Sequence, residues 1–101
     1  MTLKTVTLDI ETATPAEVIA WATAVTDRGD WPVIPLAGAD GTLYADPQEG
    51  GREFQLIDQQ GCYGCLTHLP DGSWIASQWG RRQSYPTAQA AATVLSAGVP
   101  I

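Results

Sequence analysis

Gly61-Cys62-Tyr63-Gly64-Cys65-Leu66-Thr67-His68-Leu69-Pro70-Asp71-Gly72-Ser73-Trp74-Ile75-Ala76-Ser77-Gln78-Trp79 is the stretch whose reading decides the fold. Its centre, Leu69-Pro70-Asp71-Gly72-Ser73, spells a turn. Proline presets φ at the first central position, aspartate suits the second, and glycine takes the left-handed conformation that a three-residue hairpin loop with a bulge requires. Strand-forming residues lie on both sides, and an alanine-rich segment, Thr87–Ala97, follows. The pattern reads as a hairpin that feeds a helix back across its own sheet.

A bulge at Gly72 sets the hairpin register. His68 falls opposite Trp74, Thr67 opposite Ile75, Leu66 opposite Ala76 and Tyr63 opposite Trp79. Side chains alternate between faces along a strand. One face then carries Tyr63, Cys65, Thr67, Ile75, Ser77 and Trp79, and the other Gly64, Leu66, His68, Trp74 and Ala76. Neither face is plainly polar. Such a sheet needs cover on both sides or presents one side to a partner. The expectation is that the chain's other helix covers the second face.

Working outward, Leu3–Ile10 alternates with Val6, Leu8 and Ile10 on one side, the pattern of a half-buried strand. Thr14-Pro15-Ala16-Glu17 supplies a threonine cap, a proline at the first helical position and a capping-box glutamate. Val18, Trp21, Ala22 and Val25 give that helix one apolar face, and Gly29 ends it. Trp31–Leu36 is extended, with prolines that confine it to an edge strand or a strand entry. Asp40-Gly41 signals a hairpin returning through Leu43 and Tyr44. Glu53–Asp58 alternates, with Phe54 and Leu56 on one side. Gly80–Ser84 reads as a short basic connection to a last helix capped by Thr87, with Ala88, Ala91, Val94 and Leu95 inward. The expected fold is therefore a single α+β domain over 1–101, a mainly antiparallel sheet of five to six short strands with two helices in the order β-α-β-β-β-β-β-α.

Composition bounds the function. The chain has 101 residues, 45% of them hydrophobic, with four tryptophans, enough to bury a core. Its formal net charge is -6, from eleven acids against five bases. Asp27 through Asp58 holds seven of those acids, whereas from Gly61 onward only Asp71 is acidic. An acidic surface repels phosphates, so direct nucleic-acid binding is disfavoured and a basic protein surface is the natural electrostatic partner. The N-terminus lacks the basic start and apolar run of a secretory signal, and no apolar run approaches a membrane span. With only two cysteines the expectation is a cytoplasmic protein with reduced thiols.

Cys62, Cys65 and His68 place three metal-ligating side chains within seven positions. Structural zinc takes four ligands, and the chain has no third cysteine and no second histidine. Asp58 or Asp71 would have to complete the shell. In the regular register Cys62 and His68 share a face while Cys65 points to the other; a bulge at Gly64 would change that. Thioredoxin-type dithiols sit at a helix N-terminus, and here the flanks read as turn and strand. The expectation is two partly buried thiols, no metal and no cofactor. His68 has no serine or acid beside it to form an activated pair, and its expected contact is Trp74. Paired catalytic carboxylates and a phosphate-cradling glycine loop are both missing from the sequence.

What remains is the acidic belt. Asp40, Asp46, Glu49, Glu53 and Asp58 fall on hairpin tips and loops, where binding residues tend to sit, and Trp79, Arg81 and Arg82 join them as candidate partner contacts. The leading expectation is a small non-enzymatic module that binds a basic protein surface, without direct nucleic-acid or membrane contact. One concrete form is an inhibitor that occupies a basic nucleic-acid-binding groove. In size and charge the chain is similar to small acidic phage-encoded inhibitors of bacterial defence systems, anti-CRISPR proteins among them. That resemblance is one of class and no residue motif carries it. Two readings stand beside it: a metal- or thiol-dependent protein built on Cys62, Cys65 and His68, and a self-associating subunit, a homodimer for example, whose two-sided sheet pairs with its copy.

Overall fold

Turn chemistry sets the central hairpin, and the rest of the fold follows from which of its faces the helices take. The computed structural model describes residues 8–38 and 41–97. The element order is α1 (Pro15–Asp27), β1 (Ile34–Ala37), β2 (Thr42–Pro47), β3 (Glu53–Asp58), β4 (Gly61–His68), β5 (Trp74–Gln78), β6 (Arg81–Tyr85) and α2 (Ala88–Ser96). The strands form one antiparallel meander in which each pairs with the next. The α+β class, the meander and the run of strands between two helices are as the sequence predicts, with one strand more, β6, between the helices. Of the strand expected over Leu3–Ile10, residues 1–7 lie outside the described residues. Leu8 and Asp9 are irregular and Ile10 opens a turn. The Asp9 carbonyl accepts from the Thr12 and Ala13 N–H groups and its side chain from Glu11 N–H, which curls the chain there.

The central hairpin forms as read. His68 pairs with Trp74, Thr67 with Ile75 and Leu66 with Ala76. Leu69 N–H donates to Ser73 at 2.9 Å, and Gly72 is left-handed at φ 92°. Beyond Cys65 the register departs from expectation. Leu56 lies opposite Gly64 but Ile57 lies opposite Cys62, so Tyr63 is an extra residue in β4. Trp79 does not pair with Tyr63. It forms a two-residue turn with Gly80, both at positive φ, that closes β5 onto β6. The segment read as a basic connection is therefore the sixth strand.

One face of the sheet holds the core. Ile34, Leu36, Leu43, Ala45, Phe54, Leu56, Leu66, Trp74 and Ala76 are buried in one cluster with Val18 of α1 and Ala88, Ala91, Ala92 and Leu95 of α2. Small alanines let α2 lie close against β4 and β5, and it also touches β1 and β6. Ala92 takes the inward position expected for Val94, because the 88, 91, 92, 95 spacing tracks a helical face. Both helices thus pack on the same face, and the expected cover for the second face is not there.

Helix ends follow local rules. At α1 the Thr14 and Glu17 side chains cap each other's backbone N–H reciprocally, and Asp30 N–H reaches back to the Val25 carbonyl at 3.1 Å past Gly29. At α2 the Thr87 hydroxyl accepts from Ala90 N–H, and the Glu11 carboxylate accepts from Ala88 and Gln89 N–H at 2.8 and 3.1 Å. This long-range cap ties the N-terminal turn to the last helix.

The β4 bulge depends on Gly64, whose φ of 139° is open mainly to glycine. A Cβ there would run into the Ser77 carbonyl oxygen and lie 3.5 Å from Leu95 Cδ1. Gly64→Ala is therefore expected to lower unfolding free energy by about 2–4 kcal/mol, combining backbone strain with a clash that shifts β5. Urea denaturation measures it, and Ala16→Gly on the first turn of α1 provides a mild reference.

Candidate functional site

The face of the sheet that neither helix covers is the candidate site. Paired residues share a face, so the register lays it out in rows. One row runs Pro35, Tyr44, Ile57, Cys62; the next runs Asp46, Gln55, Cys65, Ser77, Arg82; the third runs Glu53, Thr67, Ile75, Ser84. None of these side chains is buried. The first row is apolar, whereas the other two are largely polar, acidic on the β2–β3 side and basic at β6. Trp31 joins the acidic side by donating its indole N–H to the Asp46 carboxylate. Burial pushes the Asp46 carboxyl up, and that hydrogen bond offsets the push only in part.

At the β6 end Trp79 stands 92% exposed at the tip of its turn. Its φ of 53° is left-handed, a conformation that disfavours side chains with a Cβ. Beside it Cys62, Cys65, Ser77 and Gln78 line a shallow hollow of about 290 Å³. Trp31 at 65% and Tyr44 at 37% are the other exposed aromatics.

The structure separates the sequence-derived candidates. Asp46 and Glu53 lie on the open face, with Trp79 and Arg82 at its far end. Arg81 is exposed on the opposite side of β6, paired with Gln78. Glu49 sits instead in the β2–β3 loop, on a groove against α1 lined by Val18, Ile19, Ala22 and Pro47. Asp40 lies outside the described residues. Asp58 is committed to the fold: one carboxylate oxygen accepts from Gln60 and Gly61 N–H at 2.7 and 3.1 Å, and the other from the Tyr63 hydroxyl at 2.6 Å. The acidic belt is therefore not one surface.

The metal and thiol candidates are also split, though not as the regular register implies. The extra residue at Tyr63 returns Cys62 to the open face with Cys65, opposite Ile57 and Gln55 respectively. His68 lies on the other face, its ring stacked on Trp74 with centroids 4.1 Å apart. Among the described residues no group of three His, Cys, Asp or Glu side chains converges to hold a metal ion. Burial, then the neighbouring Cys62 and Glu53, pushes the Cys65 thiol up, which disfavours the nucleophilic thiolate. No described helix is long and apolar enough to cross a membrane.

Sequence reasoning overlooked Trp31 and Tyr44 as face residues, although period-two alternation from Tyr44 to Asp46 carries the signal. No protein-family model matches the chain, and neither a curated protein nor a solved structure matches it.

Two measurements test these assignments. Iodoacetamide at neutral pH should alkylate exposed Cys62 faster than half-buried Cys65, whose thiol burial pushes up, as read by peptide mass spectrometry. For Asp58, the Tyr63 hydroxyl, then the Gln60 and Gly61 N–H groups, hold the carboxyl below its usual value. Its stabilising contribution is therefore full above the unfolded-state pKa and is lost as pH falls through the lower folded value. Asp58→Asn should lower Tm at pH 7 and flatten the fall of Tm in acid.

Proposed function

We propose that this chain is a non-enzymatic binding module that presents its open sheet face to a basic protein surface. The observation that carries this reading is the one-sided packing of the sheet, which leaves Tyr44, Ile57, Ile75 and the Trp79 hollow outward, with Asp46 and Glu53 beside them. An apolar strip bordered by charge is the composition of an interaction site. Trp79 strengthens the reading. A two-residue turn of this type favours asparagine at its first central position, and an exposed tryptophan held there gives up backbone stability. Aromatic residues anchor interfaces, and the flanking acids steer a basic partner toward them. An inhibitor that occupies a nucleic-acid-binding groove is one form this module takes.

The test captures partners from native lysate on immobilised wild-type chain and on two variants, Trp79→Asn and Asp46→Lys/Glu53→Lys. Trp79→Asn should raise stability by about 0.5–1 kcal/mol, by relieving left-handed strain. The same change should weaken capture by tenfold or more, about 1.4 kcal/mol. The charge reversal should slow association and remove its salt dependence. Identical captured proteins on all three chains would sink the reading.

A further inference from the structure

The two edges of the sheet are treated differently. At β1 the chain turns through a pair closed by Gly38 N–H donating to the Gly41 carbonyl at 2.6 Å. In antiparallel ladders hydrogen-bonded and non-bonded pairs alternate, so Ala37 and Pro35 aim their backbone groups outward. Pro35 has no N–H to offer. Ala37 is sealed by the Gln89 side chain of α2, which accepts its N–H at 3.0 Å and donates to its carbonyl. This edge is closed to another strand.

At β6 the two-residue Trp79-Gly80 turn makes Gln78 and Arg81 the closing bonded pair. Arg81, Gln83 and Tyr85 then bond to β5, while Arg82 and Ser84 aim N–H and C=O outward. Among the described residues no strand pairs with this side of β6. The edge has no bulge and no proline before Pro86. Its guard against pairing is charge, from Arg81 and Arg82.

We propose that β6 is a dimerisation edge, along which a second copy of this chain pairs antiparallel about Gln83 to join the two sheets. That register is self-complementary. Arg82 meets Ser84 of the second copy, and both are outward-facing, so each of the two symmetric pairs exchanges both backbone hydrogen bonds. Arg81 meets Tyr85 of the second copy, a cation–π pairing, and no arginine lies directly opposite another. Registers that set arginine against arginine are penalised, so the charges that guard the edge also select the pairing. The acids of β2 and β3 lie three or more strands away, about 14 Å or more at 4.8 Å per strand. That exceeds the screening length of about 8 Å at physiological salt. The inference is independent of the open-face reading, because it uses the edge and needs no other protein.

The test reads the register directly. In a Cys62→Ser/Cys65→Ser background, Gln83→Cys places two cysteines opposite each other at a non-bonded pair, with Cα atoms about 4.5 Å apart, within disulfide range. Oxidation with diamide should give a covalent dimer from Gln83→Cys and little from Arg82→Cys, whose opposite number is Ser84. Ser84→Pro deletes an outward N–H that the monomer does not use; it should convert dimer to monomer in sedimentation velocity with an unchanged far-ultraviolet circular dichroism spectrum. A wild-type chain that sediments as a monomer at every concentration overturns the proposal. So does equal cross-linking of the two cysteine variants, or a dimer that survives Ser84→Pro and therefore associates through the open face.

Discussion

The close approach of α2 to the seam of Leu66, Trp74 and Ala76 is the contact on which the structure depends. Ala88, Ala91 and Ala92 bring the helix backbone near the sheet, and Leu95 extends to the site where Gly64 leaves out a side chain. A helix seated this way fixes which face is inside. Val18 of α1 joins the same cluster, so the apolar content of both helices is spent on one side. The far face is left with exposed and half-buried side chains, neither a core nor a fully polar surface. One-sided packing is thus the origin of the candidate site, and Gln89, carried on α2, also seals the β1 edge.

The sequence made the hairpin legible because turn chemistry is local. Pro70 fixes its own φ, Asp71 accepts from Ser73 N–H, and Gly72 admits the left-handed conformation, so three paired positions follow at once. The capped start of α1 was legible for the same reason. The bulge at Tyr63 was not, since side chains outside the bulge hold it: the Tyr63 hydroxyl donates to Asp58, and the Gln78 amide of β5 donates to the Tyr63 carbonyl at 2.9 Å. Strand β6 was missed because Arg81, Arg82, Gln83 and Ser84 are all exposed and leave no apolar alternation to read. Its one local signal is a glycine after Trp79, weakened by a residue that such turns disfavour. The sidedness of α1 could not be read either, because an amphipathic helix declares that it has an inner face and not which face of a sheet it meets.

The acids show the same limit in electrostatic form. Glu17 and Glu11 cap helices, Asp58 and Asp71 fasten turns, and of the described acids Asp46 and Glu53 reach the open face. Net charge counts all of them equally. A carboxylate that accepts two or three hydrogen bonds from its own loop serves folding first, and its charge is partly neutralised by those donors. The site is therefore less acidic than the composition implies, and its aromatic content matters correspondingly more. Trp31 makes this concrete, since its exposed indole donates to the Asp46 carboxylate and so ties up part of that charge.

The Trp79-Gly80 turn links the open face to the β6 edge. A two-residue loop sets the hydrogen-bond phase of the strand it starts, so it decides that Arg82 and Ser84, rather than Arg81 and Gln83, aim outward. The same loop places the indole at the corner of the face. One inserted residue would reverse the outward set of β6 and move Trp79 off that corner. A partner's surface and a second copy would then lose their footing together, although they touch different atoms. Left-handed strain at Trp79 is consistent with a position where loop length is fixed by the edge and residue identity by the face.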